Sequence, residues 1–507
     1  KPRNDRFILL RKKGEGMSGE FLGVFHNLKD YIKRNKFVLS LILGVYLLVN
    51  INISLAEYPY IDDIGRQILG YTGFSEHYSR YLSEFSARLI QGGAHLTDPG
   101  LTTNIITAFI LTFASTILLF VLFPSKKVTP VLALASTVIG INPWFLEPLS
   151  FRFDNPFMSL SILVSILPFI FWESRKLFSV CSVVCIYLMC NSYQASSGIY
   201  ILMTLTLLFL EVVYSGKLNI KSLICSVLSY VGGMALYKIQ ITIKPPIFAD
   251  QGKIPSLLHL PSIMLANAKG YLKNIYLQSS KVWILLFLVI LILLVFNIVS
   301  SSRQKKIVAL AFTFAWLGLG SILSYGSYLI LSEQFYLLRP RYEYGLGIFA
   351  SIVLVISLGI TNRNQIINIL KSVFSSLLIF YFLAFSFIYV SNLKQQNNTL
   401  EVQSAMLGNS LNKYLNDNNN VVNINRFVAN SPIYENATLV YPMISSLIMP
   451  NTNVSWDMTM RFNAITKLNV DFRPFDATTV NSEYKQLETT KMYNVYTKDN
   501  ELFVVMK

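Results

Sequence analysis

Long apolar runs separated by short polar segments fill the sequence from residue 37 to residue 391. Eleven of these runs are predicted to be membrane-spanning helices. They cover residues 37–56, 101–123, 129–142, 158–172, 177–191, 197–215, 219–238, 282–300, 307–330, 346–360 and 372–391. Several runs are shorter than the roughly 20 residues that cross about 30 Å of hydrocarbon, so we expect those helices to use flanking residues or to pack inside the protein. The pattern predicts a polytopic α-helical membrane protein.

Basic residues are concentrated in every second loop between these runs. If the N-terminus is cytoplasmic, the cytoplasmic loops carry Lys126, Lys127, Arg175, Lys176, Lys217, Lys221, Arg303, Lys305, Lys306, Arg363 and Lys371. This distribution follows the positive-inside rule. The long loop between Gln240 and Lys281 is an exception, because it lies on the outer side and contains several lysines. With an odd number of spans, the C-terminal segment lies on the outer side of the membrane.

The two ends of the chain differ from the apolar middle. Residues 1–36 are predicted to be a basic leader, with Met17 a candidate native start, followed by an amphipathic helix from Phe21 on the cytoplasmic leaflet. Residues 392–507 begin with a leucine pattern at helical spacing that ends at the polar run 416–420. They finish with two alternating segments predicted to form a β-hairpin, Tyr493 to Tyr496 and Leu502 to Met506. We therefore expect a transmembrane domain at 37–391 and a small α/β domain at 392–507.

Composition agrees with a membrane protein and excludes other classes. The 507 residues are 53% hydrophobic and only 14% charged, which is too apolar for a soluble domain. The net charge of +16 does not indicate nucleic acid, because the basic residues lie in short loops between apolar runs. The four cysteines lie inside apolar runs and the four histidines are scattered, so neither a zinc site nor a disulfide framework is predicted.

The first outer loop, residues 57–100, has the strongest signal for chemistry. Asp62 and Asp63 directly follow a span, and Arg66, Glu76 and His77 come next. Carboxylates beside a membrane are costly to desolvate, which points to a function. From His77 onward, helical spacing predicts a helix along the membrane interface. The alternative is structural: Asp62 caps a helix and Asp63 pairs with Arg66.

The other outer loops carry polar groups among aromatic rings. The candidate residues are Glu147, Arg152, Asp154, Tyr193, Gln194, Arg339 and Arg341. Arginines bind phosphate, amides and aromatic rings bind sugars, and carboxylates transfer protons, so the set suits a sugar-phosphate ligand. Each has a plainer interpretation, namely an Arg152–Asp154 ion pair, helix caps, or contact of the arginines with lipid headgroups.

Five segments carry a resemblance to a known family. They are YIDDIGRQILGYTGFSEHYSRYLSE, NPWFLEPLSFRFDNPFM, NSYQASSGIY, RPRYEYG and the ending YNVYTKDNELFVVMK. In this order they resemble the Gtr-type serotype-converting glucosyltransferases, which add glucosyl groups to O-antigen from a polyprenyl-phosphate donor. The similarity runs from about Tyr58 to Lys507, with Phe74 where that family is expected to have tryptophan.

The resemblance implies a GT-C-like enzyme in the bacterial inner membrane, with a cytoplasmic N-terminus and a periplasmic C-terminal domain. The donor would be undecaprenyl-phosphate-glucose, supplied by a separate synthase and flippase, and the acceptor an O-antigen sugar. Inverting transfer needs one general base, for which Asp62 and Asp63 are the candidates and Asp63 is preferred. No metal is required, although a divalent cation at Asp62 and Asp63 is an alternative.

The remaining roles follow from the leaving group and the sugars. A departing lipid phosphate gains negative charge, so arginines beside it stabilise the transition state. The expected phosphate-binding residues are Arg152, Arg339 and Arg341. The expected sugar- or acceptor-binding residues are Arg66, Glu76, His77, Glu147, Asp154, Tyr193 and Gln194.

Two rival functions stay open at this point. An O-antigen polymerase also works with arginines in outer loops, but it transfers a whole repeat unit and does not need the Asp62–Asp63 motif. A lipid-linked sugar transporter or flippase is expected to carry polar groups at mid-membrane and an internal repeat. The sequence has no such repeat, and its ionisable residues lie mostly at one face.

Overall fold

A computed structural model of the chain describes residues 17–415 and 420–507. The helices are α1 Met17–Ser54, α2 Asp62–Leu69, α3 Phe74–Tyr78, α4 Tyr81–Gln91, α5 Thr102–Leu122, α6 Pro130–Ile141, α7 Leu146–Ser150, α8 Asn155–Ile166, α9 Arg175–Cys190, α10 Ser197–Ser215, α11 Ile220–Ile243, α12 Leu260–Gln278, α13 Lys281–Ser301, α14 Lys306–Leu323, α15 Tyr344–Gly359, α16 Gln365–Leu411, α17 Pro432–Val440, α18 Pro442–Leu447 and α19 Trp456–Thr466. The strands are β1 Val421–Ile424, β2 Asp471–Pro474, β3 Lys485–Thr489, β4 Tyr493–Lys498 and β5 Glu501–Met506. The expected leader, residues 1–16, and most of the polar run, residues 416–419, lie outside the described residues.

The chain divides into two compact units. The first unit contains residues 17–54, Thr72–His95 and Pro99–Phe387. The second contains Leu55–Tyr71, Leu96–Asp98 and Ile388–Lys507. The division falls inside α16, and the first half of the loop after α1 belongs to the second unit.

Every predicted apolar run coincides with a helix, which confirms a helical membrane protein. Among the described residues, seven helices are long and apolar enough to cross a membrane, or eight if the bent pair Pro130–Ile141 and Pro143–Ser150 is one span. Asn155–Phe171 and Tyr344–Gly359 are shorter apolar helices. The total of eleven spans therefore stays a prediction. The four cysteines are free thiols and lie in α9 and α11.

Two predicted helix boundaries differ from the structure. The predicted amphipathic helix before residue 37 is continuous with the first span, since α1 has no break from Met17 to Ser54. The predicted helix from His77 onward is interrupted, because Ser79 has a φ of 57° and ends α3, and α4 begins only at Tyr81. A serine in the left-handed region is uncommon, and no sequence pattern marked this position.

Close backbone contact joins three elements of the first unit. A Cβ atom at Gly198 or at Gly345 would collide with the Ser324 carbonyl oxygen, which follows α14. Only glycine allows α10 and α15 to approach that carbonyl so closely. Tyr344 lies next to Gly345 and Tyr193 lies just before α10, and their rings stack with centroids 6.4 Å apart. The contact thus fixes the loops that precede both helices.

The second unit is built on a five-stranded sheet in the order β2-β1-β5-β4-β3. Strand β1 is parallel to β2 and β5, and β4 is antiparallel to β5 and β3. The β4–β5 pair confirms the predicted C-terminal hairpin, and in β5 alternate side chains are buried as the sequence pattern requires. Leu400, Leu407 and Leu411 of α16 are fully buried against this sheet. The expected leucine helix is therefore part of this core.

Candidate active site

The acidic pair lies at the start of α2, after a strained residue. Ile61 has a φ of 48°, a backbone conformation that β-branched residues rarely adopt. Ile61 also occupies the position before α2, and its side chain forms no cap, so Asp62 and Asp63 are the first two residues of the helix. Strain of this kind persists where the surrounding structure imposes it, often at functional sites.

The two aspartates have different surroundings. Asp63 is fully buried, and its Oδ2 accepts a hydrogen bond from the Tyr60 backbone N–H at 3.1 Å. The Asp63 N–H donates to the Tyr60 carbonyl at 3.1 Å. Arg66, one turn later, is also buried. Asp62 is only half-buried, so a substrate can reach the carboxylate of Asp62 more easily than that of Asp63.

Residues of the second unit hold this segment. The Tyr60 hydroxyl donates to the carbonyl of Leu447, the last residue of α18, and the Arg461 guanidinium lies 4.5 Å from the centre of the Tyr58 ring. Arg461 is buried and also donates to the Asn397 side chain. Arg461 therefore holds Tyr58 by packing inside the second unit.

A cluster of two arginines and one tyrosine lies in the first unit. We call Arg80, Tyr193 and Arg341 the arginine–tyrosine cluster. The Arg80 guanidinium stacks over the Tyr193 ring at 4.8 Å and over the Tyr78 ring at 4.6 Å. Its Nε donates to the Gln194 side chain at 3.0 Å. Arg80 is not among the residues predicted for the site, and it lies directly after the helix break at Ser79.

Tyr193 is the buried centre of this cluster. Its side chain is 1% exposed, and its hydroxyl has no hydrogen-bond partner in residues 17–415 and 420–507. Burial raises the pKa of Tyr193 well above its ordinary value, while the positive charges of Arg341 and Arg80 oppose this shift. The hydroxyl therefore keeps its proton. A buried donor without an acceptor is unfavourable by about 1–3 kcal/mol, which a ligand oxygen would relieve.

Glu147 organises the turn that carries the other two arginines. The Arg339 Nε lies 2.7 Å from Glu147 Oε1, and the Arg341 backbone N–H donates to Oε2 at 2.8 Å. The Glu147 side chain is fully buried. The Arg341 guanidinium stacks over the Phe151 ring at 4.9 Å. Glu147, expected to bind sugar, thus holds the expected phosphate-binding turn.

Glu343 is a second buried acid beside this turn, and the sequence argument did not select it. Burial raises its pKa to about 8, the nearby charge of Glu147 adds to the rise, and hydrogen bonds from Asn274 and Gln278 oppose it. The Asn274 amide donates to Glu343 Oε1 at 3.0 Å. The position of Glu343 within the segment RPRYEYG was the one feature of the sequence that could have indicated it. At neutral pH the Glu343 carboxyl is therefore mostly protonated.

The remaining candidates have separate positions. The Arg152 Nη1 donates to the Ser54 carbonyl at 3.3 Å, and Asp154 is mostly buried directly before α8. Glu76 is exposed, and the His77 ring packs 5.5 Å from Phe248 in the long loop. The structure thus brings Tyr193 and Gln194 to Arg80, and Glu147 to Arg339 and Arg341. Asp62, Asp63 and Arg66 belong to the second unit.

A metal site with many protein ligands is not formed in the described residues. Within 17–415 and 420–507, no three His, Cys, Asp or Glu side chains are grouped so that they could hold an ion. A cation at Asp62 and Asp63 would therefore have no third His, Cys, Asp or Glu ligand from the described residues.

The chain is similar to one described protein and matches the model of one protein family. Over 186 residues the chain is 24% identical to a Salmonella phage P22 protein described as "Uncharacterized 55.3 kDa protein in gtrB 5'region". The match spans 36% of this chain and 38% of that relative's length. No solved structure matches the chain. The model of the glycosyltransferase family described as "Glucosyl transferase GtrII" matches residues 51–391, more than half of the sequence, and the chain therefore belongs to the GtrII glucosyl transferase family.

Proposed function

We propose that the protein transfers a glucosyl group from a polyprenyl-phosphate-glucose donor to a sugar of O-antigen. The observation that carries the proposal is the arginine–tyrosine cluster of this member of a glucosyl transferase family, in which one guanidinium group stacks on a buried phenol and the charge of a second acts on it. Such a set suits a phosphate, because guanidinium groups and a hydroxyl all donate to its oxygens. In this proposal the donor is undecaprenyl-phosphate-glucose, made and flipped by separate proteins.

The cluster would act on the leaving group. As the bond between the glucosyl carbon and the phosphate oxygen breaks, negative charge grows on the phosphate. Arg80 and Arg341 stabilise that charge more than the charge of the bound donor, which lowers the barrier. Tyr193 donates its otherwise unpartnered O–H to the same group. Glu147 holds the backbone of Arg341 and the side chain of Arg339 in place.

The acidic pair would supply the base. Inverting transfer requires a carboxylate that removes the proton from the attacking acceptor hydroxyl. We assign this role to Asp62, because its carboxylate is half-buried and accessible, whereas Asp63 is fully buried and bonded to Tyr60. Asp63 is then a positioning residue that fixes the first turn of α2. This assignment reverses the preference drawn from the sequence.

The proposal includes a GT-C-like architecture with eleven spans in the bacterial inner membrane. The N-terminus would be cytoplasmic and the 392–507 domain periplasmic. Its support is the alternation of basic loops along the sequence. The phosphate-binding and acidic candidates all belong to the loops that this alternation assigns to the periplasmic side.

Glycan mass tests the function in cells. The protein is expressed in a strain that makes the lipid-linked glucose and the matching O-antigen, and the O-antigen repeat is measured by mass spectrometry. Wild type should add one hexose, and Asp62→Asn should add none. Asp98→Asn is the control, since Asp98 is an exposed aspartate of the same unit. Normal glucosylation by Asp62→Asn would remove the assigned base, and a change of chain length without added hexose would favour a polymerase.

A further inference from the structure

A cavity of about 980 Å³ lies within the first unit, at the opposite end of its helices from the arginine–tyrosine cluster. Helix α10 begins just after Tyr193 and Gln194, and its last residue, Ser215, lines the cavity. Helix α15 begins just after Glu343 and ends at Gly359, which also lines the cavity. The two sites are therefore separated by the length of these helices. The volume falls in the range of ligand-binding pockets.

One wall of the cavity is apolar. It contains Phe120, Phe169, Leu207 and Leu210, all of which are buried. From Leu207 to Ser215 the wall follows α10 for about 12 Å. Phe296, on α13, also lines the cavity and is 55% exposed. Since α13 is long and apolar enough to span a membrane, the apolar wall reaches a surface that hydrocarbon chains can contact.

The end of the cavity near the helix termini is charged and polar. Arg303 follows α13 and Arg363 follows α15, and both arginines are exposed. Within residues 17–415 and 420–507, neither guanidinium group takes part in an ion pair or hydrogen bond. Serines, asparagines and the carboxylates of Glu173 and Glu211 complete this end. Glu211 Oε1 accepts a hydrogen bond from the Trp172 indole at 2.8 Å.

This combination matches one kind of ligand. Two unpaired guanidinium groups attract a phosphate, hydroxyl and carboxylate groups accept hydrogen bonds from the rest of a polar head, and the apolar wall covers a hydrocarbon tail. The positive-inside rule explains basic residues in loops, but it does not explain a partly apolar cavity of about 980 Å³ beside them. A soluble phosphate compound would leave the apolar wall unused.

We propose that this cavity binds a phosphate-bearing membrane lipid. Its tail lies along the apolar wall that contains Phe120 and Leu207, and its phosphate lies at Arg303 and Arg363. Glu173 and Glu211 face hydroxyl or ammonium groups of the head. The lipid is either a polyprenyl phosphate or a glycerophospholipid, which share this chemistry. The site is separate from the proposed transfer site, and its occupancy can be measured without any glucosyl transfer.

Photo-crosslinking tests the site on the intact protein. The protein in detergent is incubated with a polyprenyl monophosphate or with phosphatidylglycerol, each carrying a photoreactive group in the tail, and the labelled peptides are mapped. We expect labelling of the peptides that contain Leu207 and Phe296, reduced at least about tenfold in the double variant Arg303→Ala, Arg363→Ala. Arg175→Ala is the control, because Arg175 is an exposed basic residue at the start of α9 that does not line the cavity.

A second variant blocks the cavity without removing either arginine. Ser300→Trp places a bulky ring at an exposed residue of the cavity wall, so labelling should fall while the arginines stay in place. Cavity labelling by either probe supports the site, and the probe that labels identifies the source of the lipid. The proposal is overturned if neither probe labels these peptides, or if labelling survives both the double variant and Ser300→Trp.

Discussion

Tyr193 has a buried hydroxyl group from which a ligand oxygen could accept a hydrogen bond. Its ring is held by the Arg80 guanidinium, and its hydroxyl is buried without an acceptor in the described residues. A positioned donor of this kind contributes only when an oxygen arrives. In the proposed function a lipid phosphate would supply that oxygen and would also interact with both arginines.

Tyr193→Phe tests this role directly. The ring and its stacking with Arg80 remain, so the melting temperature should be unchanged or slightly higher because a buried polar group is removed. The rate of glucosyl transfer should fall about tenfold to a hundredfold, the effect of about 1.5–3 kcal/mol expected for a hydrogen bond to a charged group. Tyr200→Phe, a buried tyrosine in α10 bonded to Ser182, should not change the rate. An unchanged rate in Tyr193→Phe would exclude the donor role.

Glu343 predicts how transfer depends on pH. Its pKa is raised to about 8, so the carboxyl is neutral at pH 7 and gains a charge beside Glu147 as the pH rises through about 8. That new negative charge opposes a bound phosphate, and the rate should fall. Because the folded state holds this proton more tightly than the unfolded state, the stability of the fold should also decrease from pH about 4.3 to about 8.

The variant Glu343→Gln mimics the neutral carboxyl. It should transfer glucose at neutral pH at a rate close to wild type and lose the decline above pH about 8. The measurement is the transfer rate on both sides of that pH for the two proteins. If Glu343→Gln keeps the same alkaline decline as wild type, Glu343 is not the group that titrates.

At the scale of elements, the break between α3 and α4 decides what Arg80 contacts. Ser79 is fully buried with a φ of 57°, and its hydroxyl accepts a hydrogen bond from Gln240 at 3.0 Å. Arg80 lies directly before α4, and its carbonyl accepts a hydrogen bond from the Glu84 N–H at 3.0 Å. Its own backbone is not helical, with a φ of -99° and a ψ of 71°, and its guanidinium stacks over Tyr193.

Substitutions at Ser79 should separate backbone shape from side-chain chemistry. Ser79→Gly keeps the left-handed conformation at little cost and should retain most of the activity. Both variants remove the hydrogen bond from the Gln240 amide to the Ser79 hydroxyl. Ser79→Val in addition places a β-branched residue where φ is positive, which is unfavourable by about 1–2 kcal/mol. Its melting temperature and transfer rate should both fall. Equal activity of the two variants would contradict the importance of this break.

The apolar pattern was sufficient to predict the helices of the eleven apolar runs and the final hairpin, because burial in lipid or in a sheet imposes a period on the sequence. It did not predict α12, whose 19 residues lie in the stretch expected to be a long outer loop. It was insufficient where distant residues decide the outcome. Arg80, Glu343 and the buried state of Asp63 depend on partners far along the chain or on a strained backbone at Ile61 and Ser79. The inclusion of Leu55–Tyr71 in the second unit likewise has no local signal.

For the whole molecule, the basic loops predict a cytoplasmic N-terminus and a periplasmic C-terminus. Alkaline phosphatase fused after Lys507 should be active in the periplasm, and a cysteine introduced at exposed Lys127 should resist a membrane-impermeant thiol reagent in intact cells. The physical reason for this orientation is that positively charged loops stay on the cytoplasmic side of the membrane. An inactive fusion together with a labelled Lys127→Cys would reverse the proposed orientation.

If Asp62 activates the acceptor hydroxyl for inverting transfer from a lipid-linked glucose, purified protein should show it. The protein is given β-linked polyprenyl-phosphate-glucose and an O-antigen acceptor, and the product linkage is determined by NMR. We expect an α-glucosidic product and free polyprenyl phosphate from wild type and from Asp98→Asn, and no product from Asp62→Asn. A β-linked product, or full activity of Asp62→Asn, would contradict it.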